Sequence, residues 1–160
     1  MPNITPFLWF DSQAEEAAEF YVSIFPNSKI TEASRYGEAG PGPVGAAMVV
    51  AFELDGSPFL ALNGGPDHFH FDESISFSID CASQVEIDHY WHSLSEGGAE
   101  IACGWLHDKY GLRWQVVPSV LPDLLSDPDP ERAKRVTEAM FTMKKLDIAA
   151  LLAAGDDTTN

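Results

Sequence analysis

Apolar residues along the chain change their spacing from every second position to a helical stripe and back, and these changes mark out the elements. Phe7-Leu8-Trp9-Phe10 is a strand-like run, followed by Ser12-Gln13-Ala14-Glu15 with the spacing of a capping box, in which Ser and Glu meet the unpaired backbone donors of a helix start. Ala14, Ala17, Ala18, Tyr21, Val22 and Phe25 then form a helical stripe that Pro26-Asn27 ends. Three strand candidates follow: Lys29 to Tyr36, Ala46 to Leu54 and Pro58 to Asn63. The intervening EAGPGPVG, Glu38 to Gly45, is too rich in Gly and Pro for anything but a loop, and Asp55-Gly56 signals a hairpin.

The same succession then repeats. Ile75 to Cys81 predicts a strand, Ser83-Gln84-Val85-Glu86 a second capping box, and Ile87, Tyr90, Trp91 and Leu94 a helical stripe that stops at Gly97-Gly98. Ser83 lies 71 positions after Ser12, and that offset also pairs Leu8 with Ile79, Phe20 with Trp91 and Ile30 with Ile101. Strands are predicted over Glu100 to Cys103, Trp105 to His107 and Leu112 to Val117, so each copy reads βαβββ. In the last hairpin, around Asp108-Lys109-Tyr110-Gly111, alternation puts Leu112, Trp114 and Val116 on a core face. Arg113, Gln115 and Val117 fall on the other.

Past Pro118 the period becomes helical. Asp129-Pro130-Glu131 predicts a helix start, with Ala133, Val136, Met140 and Met143 at helical spacing and a further apolar segment over Leu146 to Ala154. The organisation expected is a first module over 1–66, a second over 67–118, a helical extension over 119–154 and a disordered tail over 155–160. The stripe Val136, Met140, Met143 and Leu146 is expected to need a partner surface outside the duplicated core, which points to a homodimer.

Composition narrows the function. The 160 residues carry 25 acidic against 9 basic side chains, a formal net charge of −16, which repels phosphate backbones and anionic lipid. Neither a nucleic acid nor a membrane is expected as a partner. With 45% hydrophobic and 21% charged residues the chain reads as globular and soluble. MPNITPFLWF has no basic segment leading into a long apolar run, so no leader or span is expected and the location is read as cytoplasmic. Cys81 and Cys103 have no metal-type spacing and are expected to be buried reduced thiols.

A duplicated βαβββ module of this size resembles the vicinal-oxygen-chelate superfamily, which includes glyoxalase I, the bleomycin-resistance proteins and extradiol dioxygenases. The segments FYVSIFPNSKI, NGGPDHFHFDESISFSIDC, CGWLHDKYGLRWQVVP and KKLDIAAL are together similar to its PhnB-like branch, whose members often carry the label 3-demethylubiquinone-9 3-methyltransferase. The resemblance implies an α+β fold, two βαβββ modules forming a curled mixed sheet around a concave pocket, and a homodimer. It does not bring S-adenosylmethionine machinery with it. That site needs a glycine-rich turn between a parallel strand and a helix, whereas Gly64-Gly65-Pro66 precedes no helix.

Metal-dependent relatives hold a divalent ion with His, Gln and Glu from the first and last strands of each module. Carried over by position, those sites fall near Thr5 or Pro6, between Leu60 and Asn63, near Ser74 or Ser76, and on Gln115. Only Gln115 is a suitable residue type, so no metal site and no cofactor are expected, with a divalent metal as the minor alternative. Residues expected to line a ligand pocket are Trp9, Asn63, Ser76, Trp105 and Gln115, a set suited to a largely apolar or planar ligand. Trp114 is expected beneath the helices.

For catalysis the candidates are His107 and Asp108, as base and orienter or as an exposed turn pair. His68 and His70 read as a ligand pair or a loop over the pocket mouth, and His89 and His92 as a metal pair or a polar helix face. Cys103 lacks a visible base. Three functions remain open: a metal-free small-molecule-binding protein; an enzyme of the same fold, of lyase, isomerase or dioxygenase type, acting on a small oxygenated substrate; and a structural dimeric partner domain.

Overall fold

The computed structural model describes residues 2–66 and 69–156. The chain divides into two units between Phe69 and His70.

In the first unit the elements are β1 (Phe7–Phe10), α1 (Ala14–Ile24), β2 (Lys29–Arg35), β3 (Ala47–Leu54) and β4 (Ser57–Asn63). The sheet order is β1-β4-β3-β2, with β1 parallel to β4 and the other pairs antiparallel. Asp55 (φ 45°) and Gly56 (φ 78°) are both left-handed, as a two-residue hairpin requires, and they join β3 to β4. Ala14, Ala17, Ala18 and Tyr21 of α1 are buried, as are Leu8, Phe10, Val50, Phe52, Phe59 and Ala61 of the sheet. The Phe52 ring stacks on Phe59 at 5.4 Å and on Tyr21 at 6.2 Å.

Ser12 does not cap α1. The N-cap is Gln13, without a side-chain hydrogen bond, and the Ala14 N–H donates instead to Asn63 Oδ1 at 2.7 Å. The expected partner, Glu15, accepts from the Arg35 guanidinium at 2.6 Å, which holds its carboxyl below the usual carboxylate range.

The second unit repeats the arrangement with β5 (Phe77–Cys81), α2 (Gln84–Ser95), β6 (Ala99–Glu100), β7 (Trp105–His107) and β8 (Arg113–Pro118) in the order β5-β8-β7-β6. Again the first and last strands run parallel. Here Ser83 caps the helix and Glu86 reaches back, one residue further than the box requires: the Glu86 N–H donates to Ser83 Oγ at 3.3 Å, and Glu86 Oε2 accepts from the Ala82 N–H at 2.6 Å. The strand expected over Glu100 to Cys103 stops at Glu100, because Cys103 (φ 53°) and Gly104 (φ 83°) turn left-handed. Their N–H groups donate to the carbonyls of Met143 and Lys144, both at 2.8 Å.

The extension adds α3 (Leu121–Leu125), α4 (Pro130–Phe141) and α5 (Ile148–Asp156). Asp129 caps α4 through the Glu131 N–H. Val136, Leu146 and Leu151 bury themselves with Leu121 and Leu124, and Met140 and Met143 pack against this cluster. The stripe that was expected to need a second chain is therefore covered by its own. Gln84 ties the extension to α2: its Nε2 donates to the Leu146 carbonyl at 3.1 Å and its Oε1 accepts from the Ile148 N–H at 2.9 Å. Helix α5 continues through Gly155 and Asp156, two residues assigned to a tail on sequence. Arg135 donates to the carbonyls of Ala154 and Gly155, and Arg132 pairs with Asp156, which keeps this last turn in place. Residues 157–160 lie outside the described residues. No helix among the described residues is long and apolar enough to cross a membrane.

Candidate functional site

In each unit one sheet face is covered by the helix and the other is not, although in the second unit the extension packs on Val117 at one end of that other face. Strand register says which side chains share the open face, because paired residues point the same way. In the second unit Trp105 pairs with Gln115 and His107 with Arg113, whereas Leu106 pairs with the buried Trp114. Trp105, His107, Arg113 and Gln115 thus occupy one open face. Ser76, just before β5, joins it: Gln115 Nε2 donates to Ser76 Oγ at 2.9 Å.

That bond fixes the amide while leaving its carbonyl oxygen and one N–H with spare capacity. The Trp105 indole lies beside it, half-buried, and its N–H makes no hydrogen bond among the described residues. A flat ring next to an oriented amide and a hydroxyl can hold a planar molecule and read one or two polar atoms on it. Arg113 closes the other end of the face: its Nε and Nη2 donate to Glu73 Oε1 at 3.0 and 2.9 Å, and its Nη1 to the Gly111 carbonyl at 2.6 Å. The guanidinium holds the Glu73 carboxyl below the usual range.

The open face of the first unit is of different chemistry. Phe7 pairs with Leu60, and Trp9 with Leu62, which also pairs with Val49 of β3. Ser78 pairs with Gln115 as Phe7 pairs with Leu60, so the two faces correspond position for position: Phe7 with Ser78, Leu60 with Gln115. One copy is apolar where the other is polar. Trp9 stands on this face, 39% exposed, with its indole N–H donating to the Gly65 carbonyl at 3.3 Å and its ring edge-on to Phe69 at 5.4 Å. The sequence reading found Trp9 but missed Phe7, Leu60 and Leu62, whose alternation with buried neighbours was the available signal.

Two expected residues act elsewhere. Asn63 pairs with the buried Phe10 and so points to the helix side, not to the face of Trp9. Its Oδ1 caps α1 and its Nδ2 donates to the Ala47 carbonyl at 3.1 Å. Asp108 is 1% exposed: its Oδ1 accepts the N–H groups of Tyr110 and Leu112 and its Oδ2 the Trp114 indole N–H. His107 meets Asp108 through the backbone carbonyl, at 3.1 Å from Nδ1. The carboxylate therefore closes the turn instead of orienting the imidazole as a base.

His89 and His92 are both exposed on α2, His70 is exposed, and His68 lies outside the described residues. Among the described residues no three His, Cys, Asp or Glu stand together as a metal site. Cys81 is fully buried, and burial pushes its thiol up to about 11; Cys103 is partly exposed, with its Sγ on the Met140 carbonyl.

A family model described as 3-demethylubiquinone-9 3-methyltransferase matches residues 2–117, ending one residue before β8 does. Among solved structures, a PhnB protein from Bacillus cereus is 37% identical, covering 73% of this chain and 99% of its own, with a TM-score of 0.68. A protein from Pseudomonas aeruginosa is 20% identical over 74% of this chain and 98% of its own, TM-score 0.62, and shares the fold. A glyoxylase/bleomycin resistance protein/dioxygenase domain from Frankia is more distant, 15% identical over 74% and 92% with a TM-score of 0.45. No curated protein matches the chain. The extension α3 to α5 lies beyond the matched family region, while the duplicated modules lie within it; the chain belongs to the PhnB-like, 3-demethylubiquinone-9 3-methyltransferase family.

Proposed function

We propose that the protein binds a small, largely apolar and planar molecule on the open face of its second sheet, without a resident metal and without S-adenosylmethionine. The observation that carries this is the Gln115–Ser76 hydrogen bond beside Trp105. An amide and a hydroxyl are weak ligands for a divalent ion, yet they suit a ligand carbonyl or hydroxyl over an aromatic wall. Against methyl transfer from S-adenosylmethionine speaks the β1–α1 connection, Asp11-Ser12-Gln13, which has no glycine to let the cofactor's methionine moiety approach the backbone. The family's label is therefore no guide to this chain's chemistry.

Elemental analysis of protein purified without a histidine tag tests the reading. Metal well below one equivalent per chain is expected; stoichiometric zinc, nickel, manganese or iron would overturn it. The second reading, an enzyme of the same fold, is favoured by His107, which shares the open face with Gln115. A small-molecule substrate turned over by the wild type and not by His107→Ala would establish it. We also propose a cytoplasmic homodimer. Its support is the family resemblance and the exposed Ile4, Phe7 and Phe69 of the first unit, since the extension's stripe is already covered. Light scattering showing a monomer at micromolar concentration would count against it.

A further inference from the structure

The first unit contains a cavity of about 360 Å³ at the ends of β1 and β4, lined among others by Asp11, Tyr36, Pro41, Pro43, Asn63 and Pro66. This volume is within the range of small-molecule pockets. Its walls are set before any ligand arrives. Gly40 and Gly42 pack against opposite edges of the Tyr36 ring, where a Cβ would come within 2.4 Å of Cδ1 and 2.3 Å of Cδ2. The Tyr36 hydroxyl donates to the Asn63 carbonyl, and Tyr36 exchanges backbone hydrogen bonds with Gly45 and Ala46, each at 2.9 Å. The loop thus wraps a buried ring, and its prolines have little conformational freedom to lose on binding.

The polar inventory of the wall is one-sided. The N–H groups of Gly64 and Gly65 donate to the carbonyls of Phe10 and Asp11, that of Ala46 to Pro43, and the Asn63 amide is engaged with Ala14 and Ala47. Among the polar side chains of the wall, those left without a side-chain partner among the described residues are the Asp11 carboxylate and the Ser12 hydroxyl, both exposed at its rim. The nearby start of α1 carries a partial positive charge of about half a unit, but Asn63 caps its first N–H, and Asp11 sets a full negative charge against it. A net charge of −16 adds long-range attraction for cations.

We propose that this cavity is a second, independent binding site for a small organic cation, an ammonium group paired with Asp11 and an apolar body lying between the proline rings and Tyr36. Neither the sheet-face ligand nor the metal-free assignment enters this reading.

The test is a titration of the full chain with benzylammonium, followed by backbone amide chemical shifts, with benzyl alcohol as the neutral isostere. Asp11→Asn removes the charge, and Glu19→Gln, on the exposed side of α1, controls for overall charge. Saturable shifts at Gly42, Gly64 and Gly65 are expected, with binding at least tenfold weaker for Asp11→Asn and unchanged for Glu19→Gln. Equal weakening by both substitutions would reduce the effect to net charge and overturn the site. So would benzyl alcohol binding as well as benzylammonium, or shifts that leave the three glycines unmoved.

Discussion

The Trp114 indole N–H donates to Asp108 Oδ2 at 2.9 Å, and the same carboxylate accepts the N–H groups of Tyr110 and Leu112. One buried side chain therefore closes the last turn and ties it to the core of the second unit. Asp108→Ala leaves three donors without their acceptor and is expected to lower stability by about 3 kcal/mol or more. Chemical denaturation measures this. A loss below about 1 kcal/mol would mean the carboxylate is not part of the turn's framework.

Asn63 links β4 to the start of α1 and to the Ala47 carbonyl of β3. Removing it costs a helix cap and orphans a carbonyl, so Asn63→Ala is expected to lose about 2 kcal/mol. Ser12→Ala, which removes no cap, is expected to stay within about 0.5 kcal/mol of wild type. Reversal of this order in thermal unfolding would restore the local capping box.

The extension hangs on α2 through Gln84, whose two hydrogen bonds are supported by the Lys145–Asp88 pair at 2.5 Å. Lys145 holds the Asp88 carboxyl below its usual value, with Gln84 assisting. The pair's contribution is accordingly present above the unfolded carboxylate's value and lost as pH falls through the depressed folded one. Protection of the Ile148 amide against hydrogen exchange, taken relative to its intrinsic rate at each pH, is expected to fall in Gln84→Ala at neutral pH, and in wild type only on acidification. Truncation after Pro118 uncovers Val117 and is expected to give aggregating protein; a soluble, folded truncate would show that the extension is dispensable.

Burial pushes the Cys81 thiol to about 11, so at pH 8 only about one molecule in a thousand carries its thiolate. Iodoacetamide at that pH is expected to modify Cys103 and spare Cys81 in the native protein, and to modify both once it is unfolded. Because the folded state keeps the Cys81 proton longer than the unfolded one, stability should fall as pH rises from about 9 towards 11. Equal native labelling of the two cysteines would contradict the buried placement.

The duplicated fold could be read from sequence because its signals are local: Asp55-Gly56 needs left-handed angles, and the Ser83 box needs only residues within one turn. Ser12 looked the same, but Asn63, 49 positions beyond Ala14, took over the helix start, and no local pattern announces a tertiary cap. Helix α3, five residues long, is too short to show a period. The stripe through Val136 and Leu146 was visible, but its partner was not, because the covering residues Leu121, Leu124 and Leu151 belong to segments whose return path composition does not dictate. At the site, alternation correctly set Gln115 opposite Trp114. It could not show that the Asp108 carboxylate turns inward, since that depends on which donors the folded turn aims at it.

Side-chain resonances of Trp105 and Gln115 test the sheet-face assignment most directly. In a screen of planar aromatic fragments, binders are expected to shift the Trp105 indole N–H and the Gln115 amide together and saturably, with or without a chelator, and Gln115→Ala is expected to weaken them several-fold. Binders that leave both resonances in place, or whose binding disappears with the chelator, would contradict a metal-free ligand site on this face.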